Sequence, residues 1–337
     1  MAALLVVCDH AAQDFVRKAG GIADIGLGGY LGDLGVAAFF VISGFVMIYA
    51  HGKDFGVPGT PATFYARRIN RIVPIYWLIT IGYALYLTHQ HRGPTIMATI
   101  GSMLFVPFQG AGDAYGHPVL GQGWTLNYEV IFYLVFGAAL LLRRGVWLVF
   151  AIFIAWVGLQ SAGLLGENNP AAFWGRGIVL YFLGGIAIGL LKQQVSTGLE
   201  FHATLLAAAA VLAIAVAAAI LAGPGAPVAI LLEVIAALAS VALCAWAAET
   251  RQTSPIRTIA KALGDATYSI YLTHTLVIGP AAAFVGRHAP HLPFAAFATI
   301  MLACCSIVGL LAYRFVERPL MKVWGGVFSA AFRRQDR

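Results

Sequence analysis

The sequence GVAAFFVISGFVMIY, residues 35–49, decides the fold class, because it runs 15 residues without a charge and is apolar along most of its length. Similar runs recur along the whole chain. Hydrophobic residues make up 60% of the 337 residues and charged residues only 10%, whereas soluble domains carry roughly 25% charged residues. A water-exposed surface cannot be built from this composition. We therefore predict an all-α polytopic membrane protein.

Ten apolar stretches approach the roughly 20 residues that a helix needs to cross a bilayer. An eleventh, residues 96–108, is too short to cross and is predicted to be re-entrant or interfacial. With ten spans both termini are cytoplasmic, and only five of the 21 basic residues lie outside, as the positive-inside rule favours. These five are Arg17, Lys18, Arg92, Arg176 and Arg287. The ten predicted spans are residues 1–16, 34–51, 72–88, 122–142, 145–165, 172–191, 203–222, 227–248, 263–286 and 294–313.

The hydrophilic connections are short, so we predict one membrane domain over residues 1–337. The net charge of +7 is held mostly in loops on the cytoplasmic side, where it meets anionic lipid head groups, and it does not indicate nucleic acid. The cysteines all fall in apolar runs, so no disulfide framework is expected. No HExxH and no Cys/His metal-ligand spacing occurs, so no metal site is predicted. The cysteines are Cys8, Cys244, Cys304 and Cys305.

Ionisable side chains inside apolar spans are functional candidates, because each costs roughly 2.5–3.5 kcal/mol on insertion scales. His10 lies seven residues before Arg17, and Glu129 lies seven residues after Gln122, so each is expected roughly 10 Å below the outer face. A carboxylate that accepts the Nδ1 proton of an imidazole orients it as a base, so we predict that His10 and Glu129 act together. A structural ion pair fits the same spacing. Asp9 points away from His10 on a helix and is predicted to meet another helix.

Three further ionisable residues lie in or near the spans. His274 comes 13 residues before Arg287, which places it roughly 20 Å below the outer face and nearer the midplane. Arg176 and Glu233 belong to the outer third. They could hold a polar acceptor or pair with each other.

The segment FYARRINRIVPIYW places Arg67, Arg68 and Arg71 where the span 72–88 emerges on the cytoplasmic side. Arg68 and Arg71 are three residues apart and share one helical face. Guanidinium groups bind phosphate bidentately, and a helix N-terminus adds its own affinity for anions. The segment therefore indicates either a phosphate clamp or an ordinary positive-inside anchor.

In chain order, a helix with LLVV before His10 is followed by GVAAFFVISGF, RRINRIVPIYW, GWTLNYEVIFY, ATYSIYLTH and FVERP. This order resembles the integral membrane acyltransferase-3 family over nearly the whole chain. GWTLNYEVIFYLVFG resembles in particular the members that O-acetylate bacterial exopolysaccharides. The resemblance implies a ten-helix protein of the bacterial inner membrane that moves an acyl group, usually acetyl, from cytoplasmic acyl-CoA to a cell-surface carbohydrate. Acetyl-CoA would be a co-substrate, no bound cofactor is expected, and the acceptor would be a polysaccharide or a lipid-linked oligosaccharide.

The resemblance also implies roles for single residues. His10 corresponds to the catalytic histidine, Arg68 and Arg71 to a pair that faces the CoA phosphates, and Trp124 and Glu129 to a Trp and a Glu of the family. We expect His10 to act as a general base on a sugar hydroxyl, with an acyl-histidine relay as the second choice. Candidates for contacts to the acceptor or to the oxyanion are Trp124, Asn127, Tyr128, Arg176, Glu233 and His274.

The sequence departs from the family pattern at two places. The family has an arginine eleven residues before its histidine, a position that falls ahead of Met1, so we expect the native chain to begin upstream. The family commonly has an acidic residue where this chain has Ala37, and Asp33 could substitute for it. Two other classes remain open at this level: a lipid-linked-sugar transporter or flippase, and a non-catalytic membrane scaffold. Internal repeats and broken helices would favour the transporter, and a scaffold would not need His10.

Overall fold

The computed structural model describes residues 2–20, 29–108, 117–193, 235–239 and 255–335. Across these ranges every regular element is helical and no strand occurs, as the all-α prediction requires. A π-helical turn, Tyr313–Glu317, joins the last two helices. The helices are α1 (Ala2–Ala19), α2 (Tyr30–His51), α3 (Thr60–His89), α4 (Ile96–Met103), α5 (Trp124–Ala139), α6 (Gly145–Ser161), α7 (Pro170–Trp174), α8 (Leu180–Lys192), α9 (Pro255–Asp265), α10 (Thr267–His288), α11 (Phe294–Ala312) and α12 (Arg318–Gln335).

Within the described ranges, four helical segments are long and apolar enough to cross a membrane. The helices α6 and Gly177–Lys192 are apolar but shorter. The predicted spans 203–222 and 227–248 lie outside the described residues, apart from a helical stretch at 235–239. Ten spans with cytoplasmic termini therefore stay a prediction. The four long segments are Leu31–His51, Thr60–His89, Thr267–His288 and Phe294–Gly326.

Helix α3 begins at Thr60, well before the predicted start at residue 72. Gly59 adopts a left-handed conformation with φ 79°, and a proline follows within the first turn of the helix, where its missing N–H costs nothing. The segment that follows, ATFYARRINR, mixes apolar, aromatic and basic residues, of which Ala and Arg are good helix formers, and an apolar-run criterion overlooks it. The three arginines consequently lie inside the helix, so the predicted contribution of a helix N-terminus to their anion affinity is wrong.

The predicted span 172–191 is also not a single helix. It is divided into α7, a 3₁₀ turn at Gly177–Val179, and α8. Arg176 sits at the break with φ −67° and ψ 146°, an extended conformation. Glycines on both sides of Arg176 weaken helix propensity there, which explains the break.

Helix α4 has eight residues, which gives it a length of only about 12 Å. The Thr95 side chain caps it by accepting a hydrogen bond from the Ala98 amide at 3.1 Å. The Trp77 indole on α3 donates to the Met103 carbonyl at its end, at 2.8 Å. The segment 96–108 is thus too short to cross a bilayer, as predicted, while its interfacial or re-entrant position stays a prediction.

The described contacts divide the chain into two compact units, and the first comprises Met1–Tyr49 and Gly184–Tyr313. At its centre α1, α10 and α11 pack around an apolar core. A Cβ on Gly286 of α10 would lie 2.4 Å from the Lys18 carbonyl oxygen of α1, so the two backbones approach closely there. The main core residues are Ala3, Val7, Ala11, Phe15, Ile270, Ile278, Ala282, Phe297, Met301 and Cys305.

The second unit comprises Ala50–Leu183 and Arg314–Arg337. Helix α5 runs antiparallel to α3: the Tyr65 hydroxyl donates to the Leu134 carbonyl at 2.8 Å, and Tyr76 lies against Gly123 just before α5. A Cβ on Gly123 would be 2.6 Å from the Tyr76 hydroxyl oxygen. The N-terminus of α5 therefore lies beside the middle of α3.

Candidate active site

The His10 imidazole in the first unit is held by its own helix. Its Nδ1 lies 3.0 Å from the Val6 carbonyl oxygen. A carbonyl can only accept a hydrogen bond, so Nδ1 carries a proton, and in the neutral ring Nε2 keeps its lone pair. This is the tautomer that a general base needs. The Nδ1 position predicted for Glu129 is thus taken by a backbone carbonyl, while a catalytic role for Glu129 stays a prediction.

The ring of His274 contacts the ring of His10. The ring centroids are 4.9 Å apart and the ring planes are nearly perpendicular, at 85°. His274 is fully buried on α10, and its Nδ1 donates to the Tyr271 carbonyl at 2.6 Å. Its Nε2 has no hydrogen-bond partner among the described residues. The structure therefore brings together two residues for which residue counting predicts different depths. Counting measures depth only for upright helices, and membrane helices tilt by about 20° on average.

Asp9 meets another helix, as predicted. One carboxylate oxygen accepts from the Gly29 amide at 2.8 Å, just before α2, and the other accepts from the Gln13 side chain at 2.7 Å. A Cβ on Gly32 would lie 2.4 Å from this carboxylate, so the start of α2 is closed over it. An anion is favourable at a helix N-terminus. Asp9 therefore links α1 to the start of α2, and its hydrogen bonds go to Gln13 and Gly29.

In the second unit, Glu129 on α5 belongs to a buried polar cluster. The Tyr133 hydroxyl donates to the Glu129 carboxylate, and both residues are 6% exposed. The Arg68 guanidinium carbon lies 5.2 Å from the centroid of the Tyr133 ring and 5.6 Å from that of Phe64. A cation over an aromatic face is attracted by the ring quadrupole. Glu129, Tyr133 and Arg68 thus form one connected group, which we call the Glu129 cluster.

This arrangement differs from the separation of Glu129 and Arg68 that residue counting predicts. The sequence predicts Glu129 roughly 10 Å below the outer face and Arg68 at the cytoplasmic end, whereas the structure links them through one tyrosine. The reason is the level of α5, whose first residues lie beside Tyr76 at the middle of α3. Counting down from Gln122 therefore does not measure depth from the outer end of α3.

The other two arginines of α3 are exposed, in contrast to the half-buried Arg68. Arg68 and Arg71 are three residues apart on α3 and therefore share one helical face. Arg67 is exposed to solvent. The Arg68 Nε is buried and has no hydrogen-bond partner within the described residues. These positions leave donors of the arginine group available to an anion.

Asn127 on α5 has an unusual environment. It is 1% exposed, and both its amide nitrogen and its amide oxygen lack hydrogen-bond partners in the described part of the chain. A buried polar group left unsatisfied costs about 1–3 kcal/mol. An amide side chain at this position is therefore suited to a polar ligand group that both donates and accepts.

The remaining acceptor candidates surround Phe173 of α7. The Tyr128 hydroxyl donates to the Phe173 carbonyl at 2.8 Å, and the two rings stack at 4.6 Å. Trp124 packs edge-on against Tyr128 at 6.0 Å. The Arg176 guanidinium carbon lies 4.9 Å from the Phe173 ring centroid. The Tyr128 hydroxyl thus uses its proton in a hydrogen bond to the backbone. Glu233, which was predicted either to pair with Arg176 or to hold a polar acceptor with it, lies outside the described residues.

Sequence reasoning overlooked two buried residues of this second unit. Tyr133 lies four residues after Glu129 in YEVIFY, a spacing that puts both side chains on one helical face and could have indicated their hydrogen bond. Glu317 is 1% exposed in the π-helical turn of FVERP. Such turns occur frequently at functional sites. The position of Glu317 directly after an apolar run is the sequence feature that could have indicated its burial.

Comparison with known proteins agrees with the ordered motifs. The family profile for acyltransferase-3, described as an acyltransferase domain, matches residues 1–314. The exopolysaccharide production protein ExoZ of Rhizobium meliloti (strain 1021) is 32% identical over 307 residues, which cover 87% of this chain and 90% of the relative. No solved structure matches the chain.

Proposed function

The chain belongs to the acyltransferase-3 family, and from this membership we propose that it moves an acyl group from cytoplasmic acyl-CoA to a hydroxyl of an exported carbohydrate. Acetyl is the acyl group that we propose first. The similar protein from Rhizobium meliloti is named for exopolysaccharide production, which supports a polysaccharide or its lipid-linked precursor as the acceptor. Long apolar helices support a multi-pass protein, and we place it in the bacterial inner membrane.

The observation that carries the proposal is the tautomer of His10, fixed by the hydrogen bond from Nδ1 to the Val6 carbonyl. In the transfer step, Nε2 takes the proton of the acceptor hydroxyl while the hydroxyl oxygen bonds to the thioester carbonyl carbon. The carbon–sulfur bond then breaks, and the thiolate of CoA takes the proton from His10. An acyl-histidine relay is the second choice for the same residue.

Arg68, Arg71 and Arg67 are proposed to bind the CoA phosphates. Arg67 and Arg71 are exposed and can reach a phosphate in solvent, whereas the Arg68 guanidinium lies against the rings of Phe64 and Tyr133. A guanidinium that is already held in place loses less side-chain entropy when it binds phosphate. In this proposal Glu129 acts through Tyr133 to position Arg68, an alternative to its predicted role beside His10.

Asn127 is proposed to contact the carbohydrate or the oxyanion. Its amide has no partner among the described residues, and an amide N–H is a suitable donor to a developing oxyanion. Trp124 and Arg176 are further candidates for contacts to a sugar ring and its polar groups, since each lies next to the aromatic rings around Phe173.

The test uses the full chain in proteoliposomes with radiolabelled acetyl-CoA, together with cells in which each variant is the only copy. We expect His10→Ala to lower transfer per folded molecule by about 10²–10⁴-fold and to remove the corresponding esters from the surface polysaccharide. The matched control is His288→Ala, which changes an exposed histidine on α10. Wild-type turnover in a folded His10→Ala protein would refute the proposed mechanism. Unchanged polysaccharide esters in cells that lack the chain would refute the proposed function.

A further inference from the structure

The two histidines of the first unit form the same kind of hydrogen bond through Nδ1. In each ring Nδ1 donates to a backbone carbonyl of the same helix, Val6 for His10 and Tyr271 for His274. Each Nε2 is therefore an acceptor with a lone pair. Two lone pairs cannot hydrogen-bond, which agrees with the unpartnered Nε2 of His274.

A single proton would change this relation. Once one Nε2 is protonated, it becomes a donor and the other Nε2 becomes its acceptor. An N–H···N bond of about 3 Å between two ring edges requires ring centroids about 5 Å apart. The centroids are 4.9 Å apart. Perpendicular planes are compatible with such a bond, because the line between the two nitrogens can lie in both planes.

We propose that His10 and His274 form a one-proton pair, in which His274 accepts a hydrogen bond from the proton that His10 removes from the acceptor hydroxyl. This inference rests on the proposed acyl transfer and adds a positioning residue to it. The proton comes from the hydroxyl, is held at Nε2 of His10 against Nε2 of His274, and leaves with the thiolate of CoA. His274 forms no covalent bond, so the step needs no further reactant.

The other polar groups near the histidine pair already have hydrogen-bond or ion-pair partners, which leaves His274 to accept the hydrogen bond from protonated His10. The Asp9 carboxylate is bonded to Gln13 and to the Gly29 amide, and Asp14 is bonded to Arg17 and Lys18 near the end of α1. On α11 the Cys305 thiol lies 3.9 Å from the backbone carbonyl of His274, so it contacts the helix and not the ring nitrogen. The nearby charges of α1 thus already have partners, and no residue in the described ranges hydrogen-bonds to the His274 Nε2.

A purely structural histidine predicts a different response to substitution. The surrounding core is apolar, and burying an imidazole nitrogen without a partner costs free energy. Phenylalanine fills similar space without that nitrogen, so His274→Phe should keep or raise stability. Glutamine keeps an acceptor oxygen but adds a buried polar group, so His274→Gln should be the less stable variant. Activity and stability therefore rank the two variants in opposite orders if His274 accepts the proton.

The experiment compares both variants in proteoliposomes with radiolabelled acetyl-CoA, and it also compares the polysaccharide esters in cells. We expect His274→Phe to lower the turnover number by roughly 10- to 100-fold with little change in KM for acetyl-CoA, because the proton loses its second acceptor. We expect His274→Gln to stay within about tenfold of wild type, since a neutral hydrogen bond is retained. Melting temperatures should rank the variants the other way. His288→Phe is the matched control.

The outcomes separate the two proposals. Equal activity of the Phe and Gln variants, or higher activity of the Phe variant, overturns the one-proton pair while leaving acyl transfer intact. If His274→Gln fails to fold, His274→Asn provides the second acceptor variant, and an Asn variant no more active than the Phe variant gives the same refutation. A wild-type protein that consumes no acetyl-CoA and adds no ester refutes the proposed function itself.

Discussion

The buried polar side chains of the two units are satisfied in different ways. In the first unit, His10 and His274 bond to backbone carbonyls three or four residues away on their own helices, so neither ring depends on a side chain of another helix. In the second unit, Glu129 and Arg68 lie on different helices and are connected through Tyr133. The first arrangement leaves reactive lone pairs free, whereas the second ties α5 to α3. We expect substitutions in the first unit to affect chemistry and substitutions in the Glu129 cluster to affect stability as well.

The largest expected effect on stability comes from Glu129→Ala. This change leaves the Tyr133 hydroxyl without its acceptor and Arg68 without the nearby carboxylate, so we expect a loss of about 2–3 kcal/mol. Thermal unfolding in detergent measures it against His10→Ala, which should melt close to wild type. A Glu129→Ala protein that melts like wild type would remove the contrast between the units.

The next effect concerns donor binding. Replacing Arg68 and Arg71 together by Ala should weaken acetyl-CoA binding by about 10- to 100-fold, because charge-assisted hydrogen bonds to phosphate are lost. Lysine at both positions should restore only part of the affinity, since a point charge lacks the planar fork. Equilibrium binding of radiolabelled acetyl-CoA to the purified protein measures both. Unchanged affinity in the double Ala variant would exclude these arginines from the donor site.

A smaller effect is expected from Tyr133→Phe. The phenyl ring keeps the contact with Arg68, and only the hydrogen bond to Glu129 is lost, so the cost should be about 1 kcal/mol. Tyr133→Leu should cost more because it also removes the aromatic face under the guanidinium. Paired melting curves of the two variants separate the hydroxyl from the ring. Equal losses would show that the hydroxyl carries the whole contribution.

The smallest effect is expected from Asp9→Asn in the first unit. The amide oxygen can still accept from the Gly29 backbone, so we expect at most about 1 kcal/mol of destabilisation and transfer close to that of wild type. Asp9→Leu is the harsher companion, since it removes every acceptor. Strong loss of transfer in a stable Asp9→Asn protein would show that the carboxylate charge acts on His10, which contradicts the separation seen here.

Apolar runs were sufficient to predict that α2, α10 and α11 are long helices, because hydrophobicity along the chain is what a bilayer requires. They could not predict the start of α3 at Thr60, because polar residues continue a helix beyond its apolar part. They also did not predict that Glu129 is linked to Arg68 through Tyr133 or that His274 contacts His10. These contacts depend on how neighbouring helices are aligned along their axes, as Gly123 is aligned with Tyr76. Counting residues along one helix does not predict that alignment. The sequence did not predict the tautomer of His10 either, because the tautomer depends on the side-chain rotamer that brings Nδ1 to the Val6 carbonyl.

Helix α3 has a consequence for the lipid that surrounds it. Its 30 residues give a rod about 45 Å long, while the hydrocarbon layer is about 30 Å thick. Tilting the rod enough to hide the whole length would exceed the usual range of about 0–40°. Part of α3 must therefore stand in the head-group zone, and the polar turns with Arg67 and Arg71 are the part suited to it. The thickness of the bilayer would then determine how far these guanidinium groups extend beyond the acyl chains. Hydrophobic mismatch could therefore change the binding of acyl-CoA without any change in the protein.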